Sequence, residues 1–202
     1  MLLLFLLALC ALCVLCVETL LLLLLRLMGF QKHPRRGTMP FYASGLGPAG
    51  QEVSMKVFLA GIIQGSKVAA EIHHQDWRES IRRLLERYVP QAEVYCHYSN
   101  HPDSITYDLP RIIETFQDGV ARAIDCDVLI AYLPGASMGT AIEMYEAHRV
   151  GAAVVTITPM SANWIVRAYS DWILPDLAAL EGLLASGEME NLLAKKRRHC
   201  IP

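Results

Sequence analysis

The sequence predicts an α/β domain: a flavodoxin-like (Rossmann-like), doubly wound, five-stranded parallel sheet with helices on both faces, preceded by an N-terminal hydrophobic helix. Three observations carry that reading. From Lys56 onward, short apolar and β-branched runs alternate with longer stretches of helical spacing, the pattern of strands joined by helical crossovers. Five such runs fit a sheet buried on both faces. Residues 1–30 form a separate apolar stretch, broken only by Glu18, Thr19, Arg26 and Gly29.

In chain order, Val57-Phe58-Leu59-Ala60, bounded by Gly61, is the first buried strand. Residues 75–88 form a helix with Trp77, Ile81, Leu84, Leu85 and Tyr88 inward and Arg78, Arg82, Arg83 and Arg87 on the wet side. Residues 93–98 are the second strand. Residues 111–124 are a helix whose expected buried face is Ile112, Ile113, Phe116 and Val120. Asp127 to Leu133 is the strongest strand. Ser137 to Arg149 is a helix closed by Gly151, and Ala152 to Ile157 is a further strand. Asn163 to Tyr169 form a short helix with Trp164 in the core. Trp172-Ile173-Leu174 is an edge strand, and a single C-terminal helix starts near Asp176.

The chain divides into three parts: residues 1–30 as a transmembrane or anchor helix, 31–54 as a flexible linker, and 55–202 as the α/β domain. The apolar stretch exceeds the roughly 20 residues that span a bilayer. Arg26, Lys32, Arg35 and Arg36 follow it, which places the domain in the cytoplasm by the positive-inside rule. The alternative is a soluble cytoplasmic protein translated from Met55. The basic run Lys195 to Arg198 would then be a solvated tail, or a contact for anionic lipid if the anchor is present.

The net charge of −2 gives no reason to expect nucleic acid as a partner. Of six cysteines, Cys10, Cys13 and Cys16 lie in the apolar stretch, while Cys96, Cys126 and Cys200 are isolated. They read as reduced thiols rather than a disulfide framework. His73-His74 and Cys96-His97 with His101 are too loosely spaced for a metal site. Neither a metal nor a cofactor is expected.

In a doubly wound sheet, ligands bind beyond the carboxyl ends of the strands at the switch point. That rule selects the loops 62–67 and 134–139. Ser137 is a good helix N-cap, and the free N–H groups of Met138, Gly139 and Thr140 make an anion site. Gly139 lets a ligand approach the backbone. Glu143 lies one turn further on, about 5.4 Å along the axis, which is close to the reach from a 5′ substituent to the anomeric carbon of ribose. A carboxylate there stabilises an oxocarbenium-like transition state or attacks the carbon. Ser66, Lys67 and Asn163 are weaker candidates at the same sheet edge.

The stretch Asp127 to Ala147, with Lys56-Val57-Phe58-Leu59-Ala60-Gly61, resembles the nucleoside 2-deoxyribosyltransferase-like superfamily. The resemblance implies that Glu143 is a nucleophile and that Gly61 and Ile62 lie against bound ligand. The partner it implies is a small nucleotide or nucleoside, and it implies a homodimer with Asn163 near a neighbouring subunit. Six residues before the glutamate the transferases carry Asp, whereas the 2′-deoxynucleoside 5′-phosphate N-hydrolases carry Ser. Ser137 therefore favours the monophosphate branch. The family's second carboxylate sits eight residues before the strand's opening Asp, which here is Gly119. Asp118, one residue away, is the candidate catalytic acid in its place. Without such an acid, the chain would be a nucleotide-binding or sensing module. Pro134-Gly135 with Gly139-Thr140 and Glu143 also resembles the Pro-Gly-Gly-x-Gly-Thr-x-x-Glu signature of the cytokinin-activating phosphoribohydrolases, one residue too long. Both families cleave the N-glycosidic bond of a nucleoside monophosphate.

Overall fold

A computed structural model describes residues 54–199. The apolar segment, the linker and the anchor they imply lie outside the described residues. Among the described residues, no helix is long and apolar enough to cross a membrane.

The strands are β1 (Met55–Gly61), β2 (Ala92–Cys96), β3 (Val128–Tyr132), β4 (Ala153–Ile157) and β5 (Trp172–Leu174). They form one sheet in the order β2-β1-β3-β4-β5, every pair parallel. This is the doubly wound order that the alternation of strands and helices predicts. The helices are α1 (Trp77–Tyr88), α2 (His97–Asn100), α3 (Leu109–Asp125), α4 (Met138–Arg149), α5 (Trp164–Tyr169), α6 (Leu177–Ser186) and α7 (Glu188–His199).

Successive side chains of a strand point to opposite faces, and the two faces carry separate cores. Val57, Leu59, Ile130 and Val155 pack with Trp77, Ile81 and Leu85 of α1 and with Leu180 and Met189 of α6 and α7. Phe58, Ala60, Leu129 and Ala131 pack with Ala123 of α3 and with Met144 and Ala147 of α4.

Five expectations are corrected. Ile112, Ile113 and Phe116 are exposed, and the buried side of α3 is Thr115, Gly119 and Ala123. Those small residues recur every four positions, so α3 lies close to its neighbours through a face that apolar periodicity does not mark. Arg78 is buried, because its guanidinium binds backbone carbonyls at the sheet edge. Trp164 is 86% exposed rather than in the core. The C-terminal helix is two helices, broken at Gly187, whose φ of 69° ends α6 in the left-handed conformation. The second strand also stops at Cys96, and the chain turns directly into α2.

Of the basic run at 195–198, the Lys196 side chain pairs with Asp171 at 2.6 Å. Cys96 and Cys126 are buried.

Candidate functional site

β1 and β3 are neighbours at the switch point, and Gly61 stands level with Tyr132. The loops that leave them meet: Ile62 N–H donates to the Tyr132 carbonyl at 3.1 Å. A Cβ on Gly65 would lie 3.3 Å from the Ala136 carbonyl oxygen. Gly61 has φ +148°, and a Cβ there would come within 2.6 Å of the Trp77 ring and 2.7 Å of the Tyr132 oxygen. Glycine is therefore required where β1 ends beneath Trp77, which itself stacks on Tyr132 with ring centroids 4.7 Å apart. Ile62 is fully buried, so it acts as a floor for the loop.

Ser137 caps α4 as expected. Its backbone is extended, and its Oγ accepts from Thr140 N–H at 3.4 Å and from Thr140 Oγ1 at 3.0 Å. Thr140 is buried, Met138 is exposed, and a Cβ on Gly139 would touch the Phe116 ring at 3.4 Å.

Glu143 is the sole buried acidic side chain among the described residues. No donor among those residues hydrogen-bonds its carboxylate. Burial pushes its pKa up to about 8, and the positive charge of Arg78 opposes that shift. An acid buried without a partner is costly, and such groups cluster at functional sites.

Arg78 occupies the second position of α1, where a cation opposes the helix dipole. It is held there by its own bonds. Nε donates to Gln75 Oε1 at 2.7 Å, Nη1 to the Leu59 carbonyl at 3.2 Å, and Nη2 to the Gly61 carbonyl at 3.4 Å. Nη1 also lies 3.4 Å from Cys96 Sγ, and the guanidinium stacks 4.2 Å over the Trp77 ring. Burial lowers the Arg78 pKa. The Cys96 thiol lies below its ordinary value: burial raises it, but Arg78 and hydrogen bonds from Ser99 outweigh that.

Asp118 and Gly119 point in different directions. The Asp118 carboxylate accepts from Arg122 Nε at 2.8 Å and from the Tyr95 hydroxyl at 3.3 Å, and Arg122 holds its pKa low. Gly119 faces Glu143 instead. A Cβ there would stand 3.5 Å from Glu143 Oε1 and 3.1 Å from His97 Nδ1. Burial, and then His101, push the His97 pKa down to about 4.

The remaining candidates sit apart from this cluster. Asn163 caps α5, accepting from the N–H groups of Ile165 and Val166. Lys67 pairs with Glu71, and Ser66 is exposed. Among the described residues, no group of three His, Cys, Asp or Glu could hold a metal ion. A cavity of about 380 Å³ lies at the same sheet edge, lined by Tyr132, Pro134, Ile157, Thr158, Asp176 and Leu177. Glu143 is not among the residues that line it.

Arg78 and His97 are the site residues that sequence reasoning missed. An arginine in the first turn of a helix, set against its dipole, is the signal that marks Arg78.

The fold and site define a class: a flavodoxin-like α/β domain with a buried, unpaired carboxylate at its switch point. No protein-family model matches the sequence, and no curated protein matches it. Among solved structures, the chain is similar to a 2-deoxyribosyltransferase from Bacillus psychrosaccharolyticus, with 13% identity over 62% of this chain and 90% of that one and a TM-score of 0.48. It is similar to a CMP N-glycosidase from Clostridium botulinum, with 22% identity over 64% and 98% and a TM-score of 0.38. It is also similar to a conserved protein from Enterococcus faecalis V583, with 18% identity over 73% and 99% and a TM-score of 0.38.

Proposed function

We propose that this protein cleaves the N-glycosidic bond of a nucleoside 5′-monophosphate, with Glu143 as the nucleophile. The observation that carries this reading is the Glu143 carboxylate, buried and without a hydrogen-bond partner, one helical turn behind the N-terminus of α4. The phosphate sits on the amides of Met138 and Gly139, where the helix dipole favours an anion, while the Thr140 amide is taken by the Ser137 cap rather than free as expected. The sugar then lies along the first turn with C1′ against Glu143. The carboxylate attacks C1′ as the C1′–N bond breaks, and the base leaves with that electron pair and takes a proton from solvent. Water then cleaves the glycosyl ester and regenerates the carboxylate.

Glu143 must be ionised to attack. Arg78 favours the ionised form through space, and the positive charge developing on the sugar favours it further. Ser137 gives the cap without adding a negative charge, so a phosphate is not repelled.

Base release by the full-length protein from a panel of nucleoside 5′-monophosphates, resolved by chromatography, tests this reading. Glu143→Gln is expected to abolish release. A wild type that releases no base from any member of the panel contradicts it.

A second reading is favoured by one observation: the place of a second acid is taken by Gly119, while Asp118 is engaged by Arg122 and Tyr95. On that reading the chain binds nucleotides without turnover. Ligand-induced stabilisation with no base release is its signature.

A further inference from the structure

An apolar stripe on α3 is left unburied by the fold. Leu109, Ile112, Ile113 and Phe116 recur at i, i+3, i+4 and i+7, the spacing of one helix face. All four are exposed, at 68%, 46%, 49% and 36%, because α3 packs on the domain through Thr115, Gly119 and Ala123 instead. The stripe continues onto α4. A Cβ on Gly139 would stand 3.4 Å from the Phe116 ring, so the first turn of α4 adjoins it. There Met138 is 84% and Ile142 45% exposed. Together the six leave on the order of 600 Å² of apolar surface in water, the upper end of the largest patch on a typical monomer. With a polar rim that approaches the roughly 800 Å² each partner gives to a standard protein–protein interface.

The pattern is also its own complement. About a point between Ile112 and Ile113, Leu109 mirrors Phe116, Ile112 mirrors Ile113 and Arg111 mirrors Glu114. Two copies of α3 crossing antiparallel on a two-fold axis at that point set apolar side chains against apolar ones. They also set Arg111 against Glu114, twice over. A two-fold interface requires this relation, since residue i of one copy meets residue j of the other and j meets i. Glu114 is exposed and makes no ion pair among the described residues. Arg111 is held ready by its own chain: it donates to the Tyr107 hydroxyl at 3.3 Å and stacks 3.9 Å over the Tyr107 ring. A bilayer matches this face poorly, because Glu114 stands between Ile113 and Phe116 and lipid offers its carboxylate no partner.

We propose that this face is the interface of a homodimer in which α3 packs antiparallel on α3 of a second copy, flanked by Met138 and Ile142 of α4. The end of α4 assigned to phosphate then lies at the rim of the dimer. The interface does not depend on that assignment, since the stripe, its area and its charge pattern belong to the surface alone.

Analytical ultracentrifugation of the full-length protein tests this on wild type, Ile113→Asp, Arg111→Glu, Glu114→Arg and the double variant Arg111→Glu with Glu114→Arg. Each variant changes only exposed side chains, and circular dichroism checks that the fold is kept. Wild type is expected to be a dimer at about 10 µM. Ile113→Asp puts a carboxylate in the centre of the apolar contact and is expected to weaken the dimer by more than about 100-fold. Either single reversal sets like charges opposite each other at both symmetric contacts and is expected to weaken it by on the order of 10- to 100-fold. The double variant returns opposite charges to the same places and is expected to recover most of the wild-type affinity. A wild type that stays monomeric at about 100 µM overturns the proposal and leaves the face to lipid or to residues 1–30. A dimer that persists unchanged in Ile113→Asp is held elsewhere and overturns it too. A double variant no tighter than the single ones overturns the antiparallel register.

Discussion

The backbone of Gly119 faces the carboxylate of Glu143, with a Cβ at 119 placed 3.5 Å from Oε1 and 3.1 Å from His97 Nδ1. This relationship sets two opposing effects against each other in a single substitution. Gly119→Ala gains helix propensity worth about 1 kcal/mol, while the His97 ring must shift by a few tenths of an ångström. Stability measured by urea unfolding is expected to stay within about 1 kcal/mol of wild type. Nucleotide affinity, measured by calorimetry, is expected to fall by roughly tenfold because the methyl crowds the Glu143 carboxylate and the His97 ring.

The raised pKa of Glu143 is also a statement about stability. A carboxyl whose folded pKa lies above its unfolded value favours folding fully below the unfolded pKa near 4.5. That contribution is lost as pH rises through the folded value of about 8. Wild type is therefore expected to lose stability between pH 5 and pH 9 relative to Glu143→Gln, by on the order of 3 kcal/mol. Urea unfolding at pH 5, 7 and 9 checks this. Parallel curves for the two proteins would contradict a buried, unpartnered acid.

Arg78 is the charge that opposes the shift at Glu143. Removing it as Arg78→Met leaves the Leu59 and Gly61 carbonyls without their donor and is expected to cost about 2–4 kcal/mol in urea unfolding. It is also expected to move the ascending limb of the kcat/KM–pH profile, near pH 8 in wild type, to higher pH. Arg78→Lys keeps the charge and should move the limb less, although it loses the forked geometry.

Much of this fold was legible in the alternation of strands and helices, and it fails at particular residues for physical reasons. Apolar spacing on α3 points to Ile112, Ile113 and Phe116, but the helix buries the small residues Thr115, Gly119 and Ala123. Spacing ranks residues by hydrophobicity, whereas close packing ranks them by size. Arg78 reads as a solvated helix arginine because the carbonyls that hold it belong to β1, about 18 residues away. Ser137 and Glu143 were legible because a cap and the turn behind it are local. His97 was not, because its position opposite Gly119 depends on how α2 and α3 meet.

Ser137→Asp separates the phosphate from the sugar. Aspartate caps a helix as well as serine does, so stability is expected to change by less than about 1 kcal/mol. Its charge repels a phosphate at the same amides, so affinity for nucleoside monophosphates is expected to fall more than about tenfold in calorimetry while nucleoside affinity is kept. Equal loss for both ligands would remove the phosphate from this end of α4.

The central claim is that Glu143 attacks the anomeric carbon, and base release under single-turnover conditions tests it most directly. Full-length wild type in excess over a nucleoside 5′-monophosphate is expected to release free base at pH 8–9, with a glycosyl adduct on Glu143 detected by mass spectrometry of quenched samples. Glu143→Gln is expected to bind the nucleotide and release none. Base release that persists in Glu143→Gln would contradict the account, as would wild type that binds nucleotide and never releases base.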